Sequence, residues 1–213
     1  MSQNNEINKL INFIENHQDF NIIISNSCFY NNHLGAVLTD IILQAGLNYR
    51  TVVLPRVLRV YNEFYSANNL DGLLGTINEI GLNNFLNWQN EIKLNRFQFV
   101  LDYLVDNSIQ TTNELHKHLT IDMNLKSFLS IQGIGNKTLD YFFKLMNVET
   151  ITVDRHIINF LRQANINYYN YHSAKKIVEY AADILDISRR DIDYSIWNYM
   201  SNNSIQRKLE FEF

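Results

Sequence analysis

Two ionisable residues, Lys137 and Asp154, each stand at the predicted start of a helix, where a charged side chain can do chemistry. The positive end of the helix dipole repels a lysine ammonium in the first turn. That repulsion favours the neutral amine, which is the nucleophilic form of lysine. A simple contact with phosphate or solvent is the commoner role of a lysine, and it stays open for Lys137.

Asp154 is followed by apolar residues at helical spacing, so it lies where the N-cap of a helix is expected. An aspartate at that position accepts hydrogen bonds from backbone N–H groups. A carboxylate held there can also stabilise positive charge on a sugar or move a proton during attack at its anomeric carbon. Capping alone is the simpler interpretation, and the two roles are compatible.

A tight turn, Gly133-Ile134-Gly135, directly precedes the predicted helix of Lys137. Both glycines are expected to adopt backbone angles that are closed to other residues, and Ile134 is expected to fill the core. The exposed N–H groups at the start of the following helix form a site for a phosphate. Such a turn holds a DNA backbone without reading its sequence. The alternative is a turn between helices that merely uses two glycines.

The elements that must position these residues are helices. Proline occurs once and glycine seven times, which favours helices with short connections. The β-branched runs at 21–25 and 150–153 are too isolated to imply a sheet. Apolar spacing predicts helices at 6–16, 34–43, 52–64, 70–80, 85–107, 111–119, 126–130, 137–146, 154–164, 173–185 and 188–202. The expected fold class is therefore all-α.

Composition excludes several classes of protein. No apolar run approaches the ~20 residues that a membrane span needs, and no secretory signal is visible, so a cytoplasmic protein is expected. The single cysteine, Cys28, rules out a disulfide within the chain and a thiolate cluster for zinc or iron and sulfur. His116 and His118 would lie on different sides of a helix, so no metal site is expected.

The net charge of −4 argues against a protein that coats nucleic acid without specificity, but it permits a local basic surface. Two basic clusters are best interpreted as solvated helix faces: Arg50, Arg56 and Arg59, and Lys175, Lys176, Arg189 and Arg190.

Residues 131–138, IQGIGNKT, and residues 153–156, VDRH, together resemble the helix-hairpin-helix and Gly/Pro-Asp (HhH-GPD) signature of endonuclease III-type DNA glycosylases. The resemblance covers about 34–165 and places the family's catalytic lysine on Lys137 and its aspartate on Asp154. Residues 38–53 resemble the helix and loop that enter DNA opposite the damaged base. No proline stands in the segment 150–153 directly before Asp154. The iron–sulfur cysteines of many relatives are missing, which indicates a cluster-free branch.

The resemblance implies a single catalytic module over 1–213, with a two-lobed helical fold and a DNA-binding cleft between the lobes. One lobe spans about 34–143 and contains the hairpin at 128–140, and the other combines 1–33 with 144–213. The implied partner is double-stranded DNA carrying a damaged or mismatched base, bound by a monomer. No cofactor or metal is implied beyond a monovalent cation that the hairpin carbonyls can hold. The implied DNA-binding residues are Gly133, Ile134, Gly135, Asn136, Thr138, Gln44, Asn48 and Arg155. Gln44, Asn48 or Tyr49 would fill the space that the damaged nucleotide leaves in the duplex when it turns out of the helix.

Three alternatives to a glycosylase with lyase activity remain. Asp154 can activate water in a monofunctional glycosylase, with Lys137 touching only phosphate. The hairpin can belong to a DNA-binding protein without catalysis, or the chain can be a helical scaffold unrelated to DNA. Spacing alone does not indicate which base is removed.

Overall fold

The computed structural model describes the backbone of residues 3–210 and the side chains of residues 3–202. Within the described backbone every regular element is a helix, which confirms the all-α prediction. The first six α-helices are α1 (Gln3–Asn16), α2 (Leu34–Leu43), α3 (Leu54–Glu63), α4 (Leu70–Ile80), α5 (Leu82–Leu86) and α6 (Glu91–Asp106). The next six are α7 (Thr112–His118), α8 (Asp122–Leu129), α9 (Asn136–Leu145), α10 (Arg155–Gln163), α11 (Tyr171–Ile184) and α12 (Arg189–Glu210). A π-helical turn (Tyr49–Val53) and a 3₁₀ turn (Tyr65–Asn68) flank α3.

The chain forms two compact units, each with its own apolar core. The first unit combines the chain up to Asn26 with the chain from Val148 onward, and it contains α1, α10, α11 and α12. The second unit runs from Ser27 to Asn147 and contains α2 to α9. The chain thus passes from the first unit to the second after Asn26 and returns to the first after Asn147. The boundaries expected from the sequence are at about residues 33 and 143.

In the second unit, α2 is the central helix. All ten of its residues are buried, as its almost continuous apolar sequence predicts. It packs against α3, α6 and α9. His33 caps its N-terminus, since the Nδ1 atom of His33 accepts the N–H of Ala36 at 3.1 Å.

In the first unit, α1 packs against α11, and α10 packs against α12. The side chains of Ile7, Leu10 and Ile14 form the buried stripe of α1, as their spacing predicts. The extended segment that follows α1 is tied to α12, because the N–H of Ile23 donates to Ser195 Oγ at 2.8 Å.

The structure corrects several predicted helix boundaries. The helix predicted at 85–107 is two helices, because Asn87 adopts left-handed angles (φ 46°) that end α5. The helix predicted at 126–130 begins four residues earlier, at Asp122. The one predicted at 52–64 is a π-helical turn followed by α3, which has Pro55 in its first turn. Along the described residues, no helix combines the length and apolarity that crossing a membrane requires.

Candidate functional site

The hairpin between α8 and α9 has one glycine that the backbone requires. Gly133 has a φ of +87°, in the region that favours glycine. Ile134 is only 5% exposed and lies in the core of the second unit, as predicted. Its N–H donates to the carbonyl of Ile131 at 2.9 Å and closes the turn.

Gly135 differs from the prediction. Its φ of −132° and ψ of 178° are extended angles that any residue adopts, so the expectation that both glycines need special angles is wrong for this one. A Cβ added at Gly135 would meet no atom within 4 Å. This side of the hairpin is therefore open to a close approach from outside the chain.

Lys137 lies in the first turn of α9, as predicted. Gly135 is the N-cap of that helix and supplies no side-chain cap, so the first turn receives no side-chain acceptor from that position. Lys137 is half-buried, and its ammonium makes no hydrogen bond or ion pair with any described residue. Its neighbours differ in exposure: Asn136 is half-buried, and Thr138 is 8% exposed.

Two further cations, Lys93 and Arg96, lie one turn apart on α6, and the side chain of Arg96 reaches the same hairpin. The guanidinium of Arg96 lies against Gly133, where an added Cβ would come within 2.1 Å of Arg96 Nε. That Nε atom is buried and has no hydrogen-bond acceptor among the described residues. Burial and the positive charges of Arg96 and Lys137 lower the pKa of Lys93 to about 8.

Lys93 also holds the end of α2. Its Nζ donates to the carbonyl oxygens of Ile42 at 2.7 Å, Leu43 at 3.3 Å and Ala45 at 2.7 Å. Carbonyls at a helix C-terminus lack partners within the helix, so a lysine there satisfies them. Lys93 therefore joins α6 to the segment that contains Gln44.

Lys93, Arg96 and Lys137 form a cationic cluster. Within residues 3–202, none of the three pairs with a carboxylate. Burial and mutual repulsion make such a cluster unfavourable by itself, and an anion would relieve both. The cluster lies at the start of a helix, where the dipole also favours an anion.

The segment after α2 uses its polar groups within the unit. Gln44 is the half-buried C-cap of α2, and its Nε2 atom is buried without an acceptor among the described residues. Asn48 is exposed, and its Oδ1 caps the π-helical turn by accepting the N–H of Thr51 at 3.0 Å. The hydroxyl of Tyr49 donates to Asp40 Oδ2 at 3.2 Å. Insertion of these residues into DNA stays a prediction.

In the first unit, Asp154 is the N-cap of α10, as predicted. Its Oδ1 atom accepts the N–H groups of His156 at 2.8 Å and Ile157 at 3.1 Å. Oδ2 accepts no hydrogen bond from a described residue, so one oxygen holds the helix while the other is available. The buried segment before it is fixed by α12, since the N–H of Thr152 donates to Asp193 Oδ2 at 2.8 Å. Arg155 is exposed.

Three arginines of the basic clusters singled out in the sequence have partners within the chain. Arg56 donates to the carbonyls of Val52 and Asn87 at 2.7 and 2.9 Å. Arg59 pairs with Glu63 at 3.0 Å, and Arg189 pairs with Asp183 at 2.7 Å. These three arginines do more than form a solvated face, because they bind loop carbonyls or nearby carboxylates, whereas Lys176 is exposed, as that interpretation expects. The sequence does not distinguish Lys93 and Arg96, the two cations of the cluster that lie on α6, from an ordinary charged pair on one helix face.

No group of three or more His, Cys, Asp and Glu side chains within the described part of the chain is arranged to hold a metal ion.

Comparison with known proteins gives one match. No curated protein matches the chain, and no solved structure does. Residues 8–201, which are most of the chain, match the family described as a domain of unknown function (DUF8548). The chain belongs to this family, DUF8548.

Proposed function

We propose that this chain is a DNA glycosylase with associated AP-lyase activity, of the two-lobed HhH-GPD type, acting in base excision repair. Its substrate is double-stranded DNA that carries a damaged or mismatched base. The observation that carries the proposal is Lys137 itself, half-buried in the first turn of a helix without a side-chain cap, beside two other cations and without a carboxylate partner.

The hairpin and the cationic cluster fit a DNA phosphate. Backbone N–H groups at the start of α9 and the positive end of its dipole favour an anion. The open side of Gly135 allows a phosphate to come close to the backbone. Contacts of this kind fix the position of DNA without reading its sequence, as a repair enzyme that scans for lesions requires.

Base removal requires the target nucleotide to leave the duplex, at a cost of a few kcal/mol. The neutral amine of Lys137 then attacks C1′, and the bond from C1′ to the base breaks, so that the base leaves with the bonding electrons and takes up a proton. Loss of the amine proton and opening of the C1′–O4′ bond give a Schiff base. Removal of a proton from C2′ expels the 3′ phosphate by β-elimination and cuts the strand.

Asp154 supplies the carboxylate for this chemistry. Its Oδ1 atom is occupied by the two N–H groups of α10, and Oδ2 is available to stabilise positive charge on the sugar or to move a proton.

The same available oxygen favours a second candidate, a monofunctional glycosylase. In that reaction Oδ2 of Asp154 takes a proton from water, the water oxygen attacks C1′, and no Schiff base forms. Lys137 then contacts only phosphate.

Borohydride trapping separates the candidates, because only a Schiff base is reduced to a stable covalent adduct. The purified chain is incubated with a duplex that carries an abasic site, together with Lys137→Ala and the control Lys126→Ala, which removes an exposed lysine of α8. We expect an adduct with the wild type and with Lys126→Ala, and none with Lys137→Ala.

Mass spectrometry of the digested adduct identifies the lysine that reacted. Lys93 is the rival nucleophile, because its pKa is lowered to about 8. An adduct on Lys93 would show that Lys93, and not Lys137, is the nucleophile. Absence of an adduct from folded wild type would refute the lyase activity. Release of a free base without an adduct would support the water-activating reaction.

A further inference from the structure

A buried acidic residue, Asp40, lies in α2 and takes no part in the chemistry proposed above. Its exposed fraction is 0%, and it makes no ion pair within residues 3–202. Three tyrosine hydroxyls donate to it. The hydroxyls of Tyr30 and Tyr49 both donate to Asp40 Oδ2, the latter at 3.2 Å. The hydroxyl of Tyr141 lies 3.1 Å from Asp40 Oδ1 and 3.2 Å from Oδ2, and it donates to this carboxylate.

Burying a carboxylate without a cation is unfavourable, and these hydroxyls are its compensation. Burial raises the pKa of Asp40 to about 6, and the bonds from the tyrosines act in the opposite direction. Burial and the charge of Asp40 raise the pKa of Tyr30, Tyr49 and Tyr141, so the hydroxyls stay protonated as donors. An apolar residue at position 40 would leave the three tyrosine hydroxyls without this acceptor, so the carboxylate and its donors depend on one another.

The three tyrosines come from three different segments of the second unit. Tyr30 precedes α2, Tyr49 begins the π-helical turn after α2, and Tyr141 lies in α9. Tyr141 follows Lys137 by one helical turn, so both side chains lie on the same face of α9. Asp40 therefore connects α2 to the helix of Lys137 and to the turn that follows Gln44.

We propose that Asp40 is a positioning residue for Lys137, which holds the first turns of α9 against α2 through the hydroxyl of Tyr141. Through Tyr49 the same carboxylate holds the turn at Tyr49–Val53. The inference rests on the proposed function, which assigns the reactive amine to Lys137. Position matters for such a group, because a misplacement of about 1 Å costs a reaction about 100-fold in rate.

The first test compares Tyr141→Phe with Tyr103→Phe. Tyr141→Phe removes one hydroxyl from Asp40 and keeps the ring. Tyr103 is a matched control, a buried tyrosine of the same unit whose hydroxyl donates to the carbonyl of Asn124 at 3.1 Å. The dissociation constant for an abasic duplex and the single-turnover trapping rate at saturating duplex are measured for both variants and the wild type.

We expect Tyr141→Phe to trap at least about tenfold more slowly than the wild type with an unchanged dissociation constant, while Tyr103→Phe behaves as the wild type. A purely structural role would lower the active fraction of both variants to a similar extent. Equal trapping rates in the two variants would overturn the proposal.

The second test does not depend on DNA. Amide hydrogen exchange, followed by mass spectrometry of the DNA-free protein, is measured over residues 139–145, whose N–H groups donate to carbonyls one turn back in α9. Exchange should be faster in Tyr141→Phe than in the wild type and Tyr103→Phe, and unchanged exchange would overturn the positioning role. A wild type that traps no DNA would refute the proposed lyase function, and the exchange data would then decide separately whether Asp40 holds α9.

Discussion

The guanidinium of Arg96 lies against the Cα of Gly133, so closely that an added Cβ would stand 2.1 Å from Arg96 Nε. Gly133 also has a φ of +87°. The Arg96 side chain can shift away, but the positive φ would remain strained in any other residue. Gly133→Ala should therefore lower the free energy of unfolding by about 1–2 kcal/mol, as measured by urea denaturation.

Gly135→Ala is the matched control for that measurement. The extended angles of Gly135 suit alanine, and the added methyl group would meet no atom within 4 Å. Its free energy of unfolding should stay within about 0.5 kcal/mol of the wild type. A loss as large as that of Gly133→Ala would show that the geometry assigned to Gly135 is wrong.

The same variant, Gly135→Ala, also tests the open side of the hairpin. A methyl group there would stand where the proposed phosphate approaches the first turn of α9. The affinity for duplex DNA should fall at least about tenfold, or about 1.4 kcal/mol, in a protein that is as stable as the wild type. Unchanged affinity, measured by fluorescence anisotropy, would show that the hairpin does not contact the DNA.

The hairpin shows what spacing can and cannot predict. The turn, the buried Ile134 and the position of Lys137 follow from local sequence, because turn chemistry and apolar spacing act over a few residues. Arg96 could not be found in this way. A lysine and an arginine one turn apart on a helix are typical of a solvated face, and only the packing of α6 in the second unit brings Arg96 to Gly133.

Asp40 is different, because a local signal was present. An acidic residue within an otherwise apolar run is seldom fully buried without a partner. The run predicted a buried helix at Leu34–Leu43, which is confirmed, but it did not indicate the three tyrosines. Those donors are spread from Tyr30 to Tyr141, so their convergence depends on tertiary structure.

The salt dependence of DNA binding tests Arg96 as a phosphate contact. Each phosphate contact contributes about 0.9 to the slope of log K against log salt concentration. Arg96→Ala should therefore reduce that slope by about 1. Lys176→Ala, which removes an exposed cation of α11, is the control and should leave the slope unchanged. A slope that is equal in Arg96→Ala and the wild type would exclude a contact between Arg96 and DNA phosphate.

The two oxygens of Asp154 allow its structural and chemical roles to be separated. Asp154→Asn keeps an oxygen that can accept the N–H groups of His156 and Ile157, whereas Asp154→Ala loses the cap. The alanine variant should lose about 1 kcal/mol of unfolding free energy, and the asparagine variant much less. Base release by both variants should nevertheless fall at least about 100-fold, because both lack the carboxylate. Full activity in Asp154→Asn would show that Asp154 only caps α10.

The pKa of Asp40 predicts how stability changes with pH. Burial raises this pKa from the ordinary value of 3.8 to about 6 in the folded state, so the folded protein holds the Asp40 proton more tightly than the unfolded chain does. The stability contributed by this proton is fully present below about pH 4 and is lost as the pH rises through 6. Two pH units at about 1.4 kcal/mol each make the loss about 3 kcal/mol. Asp40→Asn lacks this loss, because its side chain stays neutral. The unfolding free energy of the wild type relative to Asp40→Asn should therefore fall by about 3 kcal/mol between pH 4 and pH 7.

Asp183→Asn is the control of opposite sign. Arg189 lowers the pKa of Asp183, so the stability that this carboxylate contributes is lost as the pH falls. Urea denaturation of the three proteins across this range measures the difference, and parallel curves for the wild type and Asp40→Asn would show that folding does not raise the pKa of Asp40.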